Sequence, residues 1–224
     1  MPVLVTGFEP YGGRSVNPAY EVMRLLDTRV IARETIIGRA LPVSFASLQV
    51  SIEAMIDELA PSAIVSLGLS PGESVIRIER LAVNIADFDI ADNTGARLRD
   101  SHVSADKAVA RRATLPVREI EADLLSGGIP ARLSLSAGSF LCNACLYTFL
   151  HVLEHKAHPC PCGFIHLPYT PEQAATMLDS SRSGQTNEPD RGHAVASMDL
   201  SRMVRAVEIA IAATLRATKT RNLL

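Results

Sequence analysis

Apolar residues fall along this chain in two rhythms, short unbroken runs and stripes at spacings of three and four, and the two alternate from end to end. Val3-Leu4-Val5 is the first run, a buried strand that empties into a glycine-rich loop from Thr6 to Gly13. Asn17-Pro18 then reads as an N-cap with proline at the first helical position, predicting a helix through Leu26. Thr35 to Leu41 is the next strand, and Phe45, Leu48, Ile52, Met55, Ile56 and Leu59 mark one face of the helix after it. Ala63 to Leu67 is a second buried run, followed by a turn at Gly68 to Gly72, a β-leaning stretch from Val75 to Ile85 and a turn at Asp92 to Gly95. Arg118 to Ser126 predicts a helix stopped by Gly127-Gly128. Arg132 to Ser136 is a strand, and Leu146, Phe149, Leu150 and Leu153 are the inner face of the helix it leads into. Gly163 to Leu167 is the last strand, and Leu200, Met203, Val204, Val207, Ile211 and Leu215 stripe a long final helix.

This alternation predicts a three-layer α/β domain on a largely parallel, mixed and twisted sheet. Residues 1–224 read as one domain, with the polar stretch 179–194 as a mobile surface loop. Lys and Arg number 22 against 24 Asp and Glu, so no basic field exists to gather phosphates, and nucleic acid is not an expected partner. Residues 133–153 carry no charge, yet Ser134, Ser136, Gly138, Ser139, Asn143 and Thr148 interrupt them, which favours strand, turn and helix over a membrane span. The first residues lack the charged and apolar regions of a secretory signal, so a cytoplasmic location is expected, with Cys142, Cys145, Cys160 and Cys162 as reduced thiols.

Several patterns suggest chemistry. Gly68-Leu69-Ser70-Pro71-Gly72 matches the G-x-S-x-G elbow of serine esterases, but the residue after the serine must donate an oxyanion-hole N–H, and Pro71 has none. The glycines of the first loop fit neither a dinucleotide fingerprint nor a P-loop. That loop does lie at a strand's C-terminal end, where open α/β sheets hold ligands, and it offers the rings of Phe8 and Tyr11 to a small flat molecule. Cys142-x-x-Cys145 with Cys160-x-Cys162 imitates a zinc site, the non-catalytic alternative, but Cys145 falls within an apolar helix and the second pair is too close for a zinc turn.

Cys142 follows a strand and a glycine turn and opens a helix, where the free N–H groups and the dipole favour a thiolate and can hold an oxyanion. His166, at the end of its own strand, can form the ion pair that such a nucleophile requires. If the two strands run parallel, both residues reach the same edge of the sheet. A carboxylate should orient the imidazole, and Glu73, Glu79 and Asp87 are all candidates.

The blocks Val5 to Gly13, Asn17-Pro18, Gly68 to Gly72, Ile78 to Asn84, Asp92 to Gly95, Ala137 to Asn143 and Gly163 to Tyr169 run in order along nearly the whole chain and resemble the type I pyroglutamyl peptidases, also called pyrrolidone carboxyl peptidases. The resemblance implies an α/β/α sandwich and a cytoplasmic cysteine peptidase. It would act, without metal or organic cofactor, on peptides with an N-terminal pyroglutamate, as a homodimer or homotetramer. It implies a catalytic triad of Glu79, Cys142 and His166, selecting Glu79 among the carboxylates. It also implies a lactam pocket with Phe8 and Tyr11, joined by Asn17 and Leu69. Tyr11 stands where the family carries phenylalanine. Glu73 and Asp89 stand where relatives often carry arginine, from which we expect added negative charge near His166.

Overall fold

The apolar run that opens the chain is buried throughout, because strand β1 (Val3–Phe8) has a parallel neighbour on each edge and a hydrophobic cluster against each face. The computed structural model describes residues 1–182 and 195–221. After β1 come helix α1 (Pro18–Leu26), strands β2 (Val30–Ile31) and β3 (Glu34–Leu41), and helix α2 (Phe45–Leu59). Strands β4 (Ala63–Leu69), β5 (Ile76–Glu79), β6 (Leu81–Val83) and β7 (Ala110–Arg112) precede helix α3 (Val117–Ser126) and strand β8 (Ala131–Ser134). Helix α4 (Leu141–His155), strand β9 (Cys162–Leu167) and helices α5 (Pro171–Arg182) and α6 (Leu200–Arg221) complete the order.

A seven-stranded sheet runs β2-β3-β1-β4-β9-β5-β8, while β6 and β7 form a separate ribbon. Strands β3, β1, β4 and β9 are parallel, and β5 is antiparallel to β9 but parallel to β8. Val3, Val5, Val65, Leu67, Ile165 and Leu167 pack on one face with residues of α1, α3 and α6. Leu4, Phe8, Ile64 and Phe164 pack on the other with α2 and α4. This is the three-layer α/β/α sandwich with a largely parallel, mixed sheet that the alternation predicts.

Three sequence expectations change. The first loop begins after Phe8 and not at Thr6, since Thr6, Gly7 and Phe8 pair with Arg39, Ala40 and Leu41 of β3. Gly7 is glycine because α1 presses its backbone onto the strand: a Cβ there would lie 2.3 Å from the Ala19 carbonyl oxygen. The stretch 179–194 is not all loop, because residues 179–182 finish α5; its remainder lies outside the described residues. Finally, β8 runs antiparallel to β9, so the parallel-strand route to the Cys142–His166 meeting is wrong. The end of β8 is level with Phe164, and residues 135–140 carry the chain back towards His166 before α4 starts. Among the described residues no helix is long and apolar enough to cross a membrane, and the uncharged stretch 133–153 divides into β8, a connector and α4 as expected.

Candidate active site

The two-residue period of the sheet decides which polar side chains meet. In β5, Ile76 and Ile78 face the α1/α3/α6 core, so Arg77 and Glu79 face the α4 side. In β9, Cys162 and Phe164 are on the α4 side, which puts His166 there too. His166 and Glu79 are both buried, and the imidazole Nδ1 lies 2.8 Å from Glu79 Oε1. The Cys142 side chain, from the first turn of α4, lies over Gly68, the sheet partner of His166, and acts on the imidazole from there. The Cys142–His166–Glu79 constellation expected from the sequence is therefore assembled in space.

Burial on its own would push the imidazole down. The negative charge available to Cys142 and the Glu79 carboxylate outweigh it, and the His166 pKa rises to about 9. At neutral pH the imidazolium is the form this setting favours. Burial pushes the Cys160 thiol up to about 12, and pushes Cys145 and Cys162 up as well, so these three stay protonated thiols at neutral pH. Cys145 is a buried core residue that shares a hydrogen bond with Ser66.

Two further residues set the position of Cys142. Gly68 of β4, opposite His166 in the sheet, leaves the space that Cys142 uses: a Cβ there would lie 2.7 Å from the Phe164 ring and 2.8 Å from Cys142 Sγ. Asn143, buried beside Cys142, accepts from the Val83 N–H at 2.8 Å and donates to the Val83 and Ile85 carbonyls at 2.9 Å each. It staples the α4 N-terminus to β6. The N-cap of α4 is Phe140, whose side chain makes no capping hydrogen bond, and the first turn carries no acidic residue, so nothing on the helix itself opposes an anion there.

Phe8, Tyr11, Asn17 and Leu69, all named from the sequence, line one small cleft with Cys142, and Val43, Phe140 and Leu141 complete its wall. Tyr11 and Phe140 have ring centroids 6.0 Å apart, and Phe140 is braced edge-on by Phe88 at 4.6 Å. Tyr11 stays neutral, its pKa raised to about 12 chiefly by burial and then by Cys142. Asn17 has a local duty: its Oδ1 caps α1 by accepting from the Ala19 N–H at 3.1 Å, and its Nδ2 donates to the Glu9 carbonyl at 3.1 Å.

Ser70 is no esterase nucleophile here. It opens a turn in which Pro71 is followed by Gly72 at φ +80°, and its hydroxyl accepts from Arg77 Nη1 at 3.3 Å instead of facing a histidine. Among the described residues no group of three or more His, Cys, Asp or Glu is arranged to hold a metal ion. The negative charges expected to weigh on His166 from Glu73 and Asp89 are each met by arginine. Glu73 is paired with Arg77 at 3.1 Å and Arg132 at 2.7 Å, and Asp89 is fully exposed, 3.9 Å from Arg99.

Sequence reading missed Gly68 as a packing requirement, and also Asn143, Phe140 and Arg77. For Arg77 the signal was present, since the alternation Ile76-Arg77-Ile78-Glu79 puts it on the face of Glu79. A family model described as pyroglutamyl peptidase, Peptidase C15, matches residues 1–217. The pyrrolidone-carboxylate peptidase of Thermococcus litoralis is 38% identical over 95% of this chain and 92% of its own, and that of Pyrococcus furiosus 39% over 94% and 98%. The solved structure of the T. litoralis enzyme superposes with a TM-score of 0.89 at 37% identity, covering 98% of this chain and 96% of that one. With the match extending from the first strand into the last helix, the chain belongs to the pyroglutamyl peptidase family, a family of cysteine peptidases.

Proposed function

We propose that this protein hydrolyses the amide bond that follows an N-terminal pyroglutamyl residue, with Cys142 as nucleophile, His166 as acid and base, and Glu79 as the carboxylate that orients it. The observation that carries the reading is the juxtaposition of Cys142 with the hydrogen-bonded His166–Glu79 pair beside a small aromatic cleft. Pyroglutamate is a neutral lactam with one N–H donor and one carbonyl acceptor. A cleft faced by Phe8, Tyr11, Leu69 and Phe140 suits its flat ring and would leave a free α-ammonium unpaired.

The Cys142 thiolate adds to the carbonyl carbon, and the N–H groups at the start of α4 stabilise the oxyanion. His166 gives its proton to the departing amine nitrogen as the C–N bond breaks, leaving an acyl thioester on Cys142. Neutral His166 then takes a proton from water as the oxygen attacks, the C–S bond breaks, and the thiolate–imidazolium pair returns with free pyroglutamate. Glu79 remains ionised against Nδ1 and fixes the ring with Nε2 towards the sulfur. The reading needs no metal or organic cofactor, and it takes with it the cytoplasmic location and the homodimer or homotetramer implied by the resemblance.

The test is release of a fluorophore from a pyroglutamyl amide under reducing conditions, beside Cys142→Ala and Cys145→Ala. Turnover should survive in the Cys145 variant and vanish in the Cys142 variant, and rapid mixing should reveal a burst equal to the enzyme concentration if the thioester accumulates. No turnover by the wild type would overturn the reading.

A further inference from the structure

Arg77 has no part in the reaction as written above, yet it is the cation held most closely against that machinery. Its Nη2 lies 3.0 Å from Glu79 Oε1, the same oxygen that meets His166 Nδ1. This contact is an ion pair, for Nη2 directs its hydrogen bonds elsewhere, to Ser134 Oγ at 3.0 Å and the Ser136 carbonyl at 2.6 Å. Nη1 donates to Glu73 Oε1 at 3.1 Å and Ser70 Oγ at 3.3 Å. The guanidinium is thus fixed by groups from the β4–β5 turn, β8 and the connector that leads to Cys142. Glu79 is fully buried, and its second oxygen, Oε2, has no hydrogen-bond partner among the described residues. Burying a carboxylate with an oxygen left unpaired is costly, and a cation close by offsets that cost.

We propose that Arg77 is a positioning residue for this reaction: its charge fixes Glu79 and offsets part of the carboxylate field at His166, so that the imidazolium gives its proton readily to the departing amine. The inference rests on the Cys142–His166–Glu79 reading above. The charged and titratable groups facing this cluster are Cys142 from α4, Arg77 and Glu79 from β5, Glu73 from the β4–β5 turn, Arg132 from β8 and Tyr11 from the first loop. Glu73 and Arg132 face Arg77 from its outer side, where Glu73 draws off part of its charge. Without Arg77, His166 sees an undiluted carboxylate, holds its proton more tightly and becomes a weaker acid.

The experiment is the pH profile of kcat and kcat/KM on a pyroglutamyl amide for wild type, Arg77→Met, Arg77→Lys and Glu73→Gln, with Cys142→Ala as reference. In Arg77→Met the basic limb should move up by about one pH unit, and kcat at neutral pH should fall by about fivefold with KM changed less than about twofold. Arg77→Lys, which keeps the charge, should hold the limb near the wild-type position. Glu73→Gln, a change at a partly exposed site that leaves the guanidinium in place, should lower the limb, and it decides the matter if Arg77→Met does not fold. A limb that stays put or moves down in Arg77→Met, one that moves equally in the Met and Lys variants, or one that does not fall in Glu73→Gln would overturn the proposal. If Cys142→Ala retains full turnover, the underlying triad reading has failed; if it is inactive while the Arg77 and Glu73 profiles match wild type, only the role of Arg77 has failed.

Discussion

A histidine in a charged cluster lies at each end of helix α4, and the same residue types give opposite electrostatics. At its N-terminus His166 meets Glu79, with Arg77 behind the carboxylate. Towards its C-terminus His151 lies 3.4 Å from Asp106, with Arg111 Nη2 only 3.1 Å from the ring nitrogen. His166 is raised to about 9, whereas His151 is lowered, first by burial and then by His155 and Arg111. The difference lies in where the cation stands. Arg77 reaches its histidine through the carboxylate, and Cys142 adds negative charge on the far side. Arg111 touches its histidine directly and also binds Asp106 and Glu154, and the His155 ring is 4.0 Å away. A carboxylate alone thus does not decide the charge of a neighbouring histidine: burial, a second ring and a cation at the ring outweigh it at His151, whereas Cys142 reinforces it at His166.

The largest effect should come from removing the sulfur: Cys142→Ala is expected to lower kcat/KM by about 10⁴-fold or more, with the melting midpoint almost unchanged. Gly68→Ala should come next. Its new methyl collides with both Phe164 and Cys142 Sγ, and a displaced nucleophile should cost about 100-fold in kcat/KM, measured with the same fluorogenic amide. Glu79→Gln should lower kcat by a similar factor and move the basic limb of the pH profile down from about 9, because the ring loses its carboxylate. A limb still near 9 in that variant would show that Cys142 alone sustains the imidazolium.

The two clusters should also leave opposite marks on stability. A histidine raised above its unfolded value of about 6.5 contributes stability that is present in full below that pH and lost as pH rises through about 9, which is the His166 case. His151, lowered in the fold, contributes above the unfolded value and loses that contribution as the pH falls through its lowered pKa. Arg111→Met should raise the His151 pKa, followed by NMR, and lower the melting midpoint by about 2–5 °C at neutral pH, since Asp106 and Glu154 lose their shared partner. Turnover should not change, and a loss of turnover would show that the C-terminal cluster supports the site after all.

How much of this was legible in the sequence follows from the same physics. Buried parallel strands announce themselves as unbroken apolar runs, so β1, β4 and β9 were readable. Strand β7 is Ala-Arg-Arg and helix α5 is mostly polar; neither has an apolar signature, and their places come from tertiary partners alone. Strand β2, two residues at the sheet edge, is too short to leave a pattern. The Cys142–His166 meeting was anticipated for a reason that does not hold, parallel strands, because strand direction is a property of topology and not of local pattern. Arg77 could be put on the face of Glu79 by counting, but its anchors Ser134 and Ser136 arrive only through the pairing of β5 with β8.

The smallest predicted effect concerns the remaining sequence expectation, that Asp89 burdens the site with negative charge. The carboxylate stands in water with Arg99 at 3.9 Å, and an exposed charge is screened within about 8 Å at physiological salt. Asp89→Arg reverses that charge completely. If distance and solvent control its influence, kcat/KM on a neutral pyroglutamyl amide should stay within about 1.5-fold of wild type and the basic limb should not move. A shift of that limb by half a unit in the Arg variant would mean that Asp89 is drawn towards His166 during turnover, and the contrast between the well-screened surface and the enclosed Glu79–His166 pair would have to be redrawn.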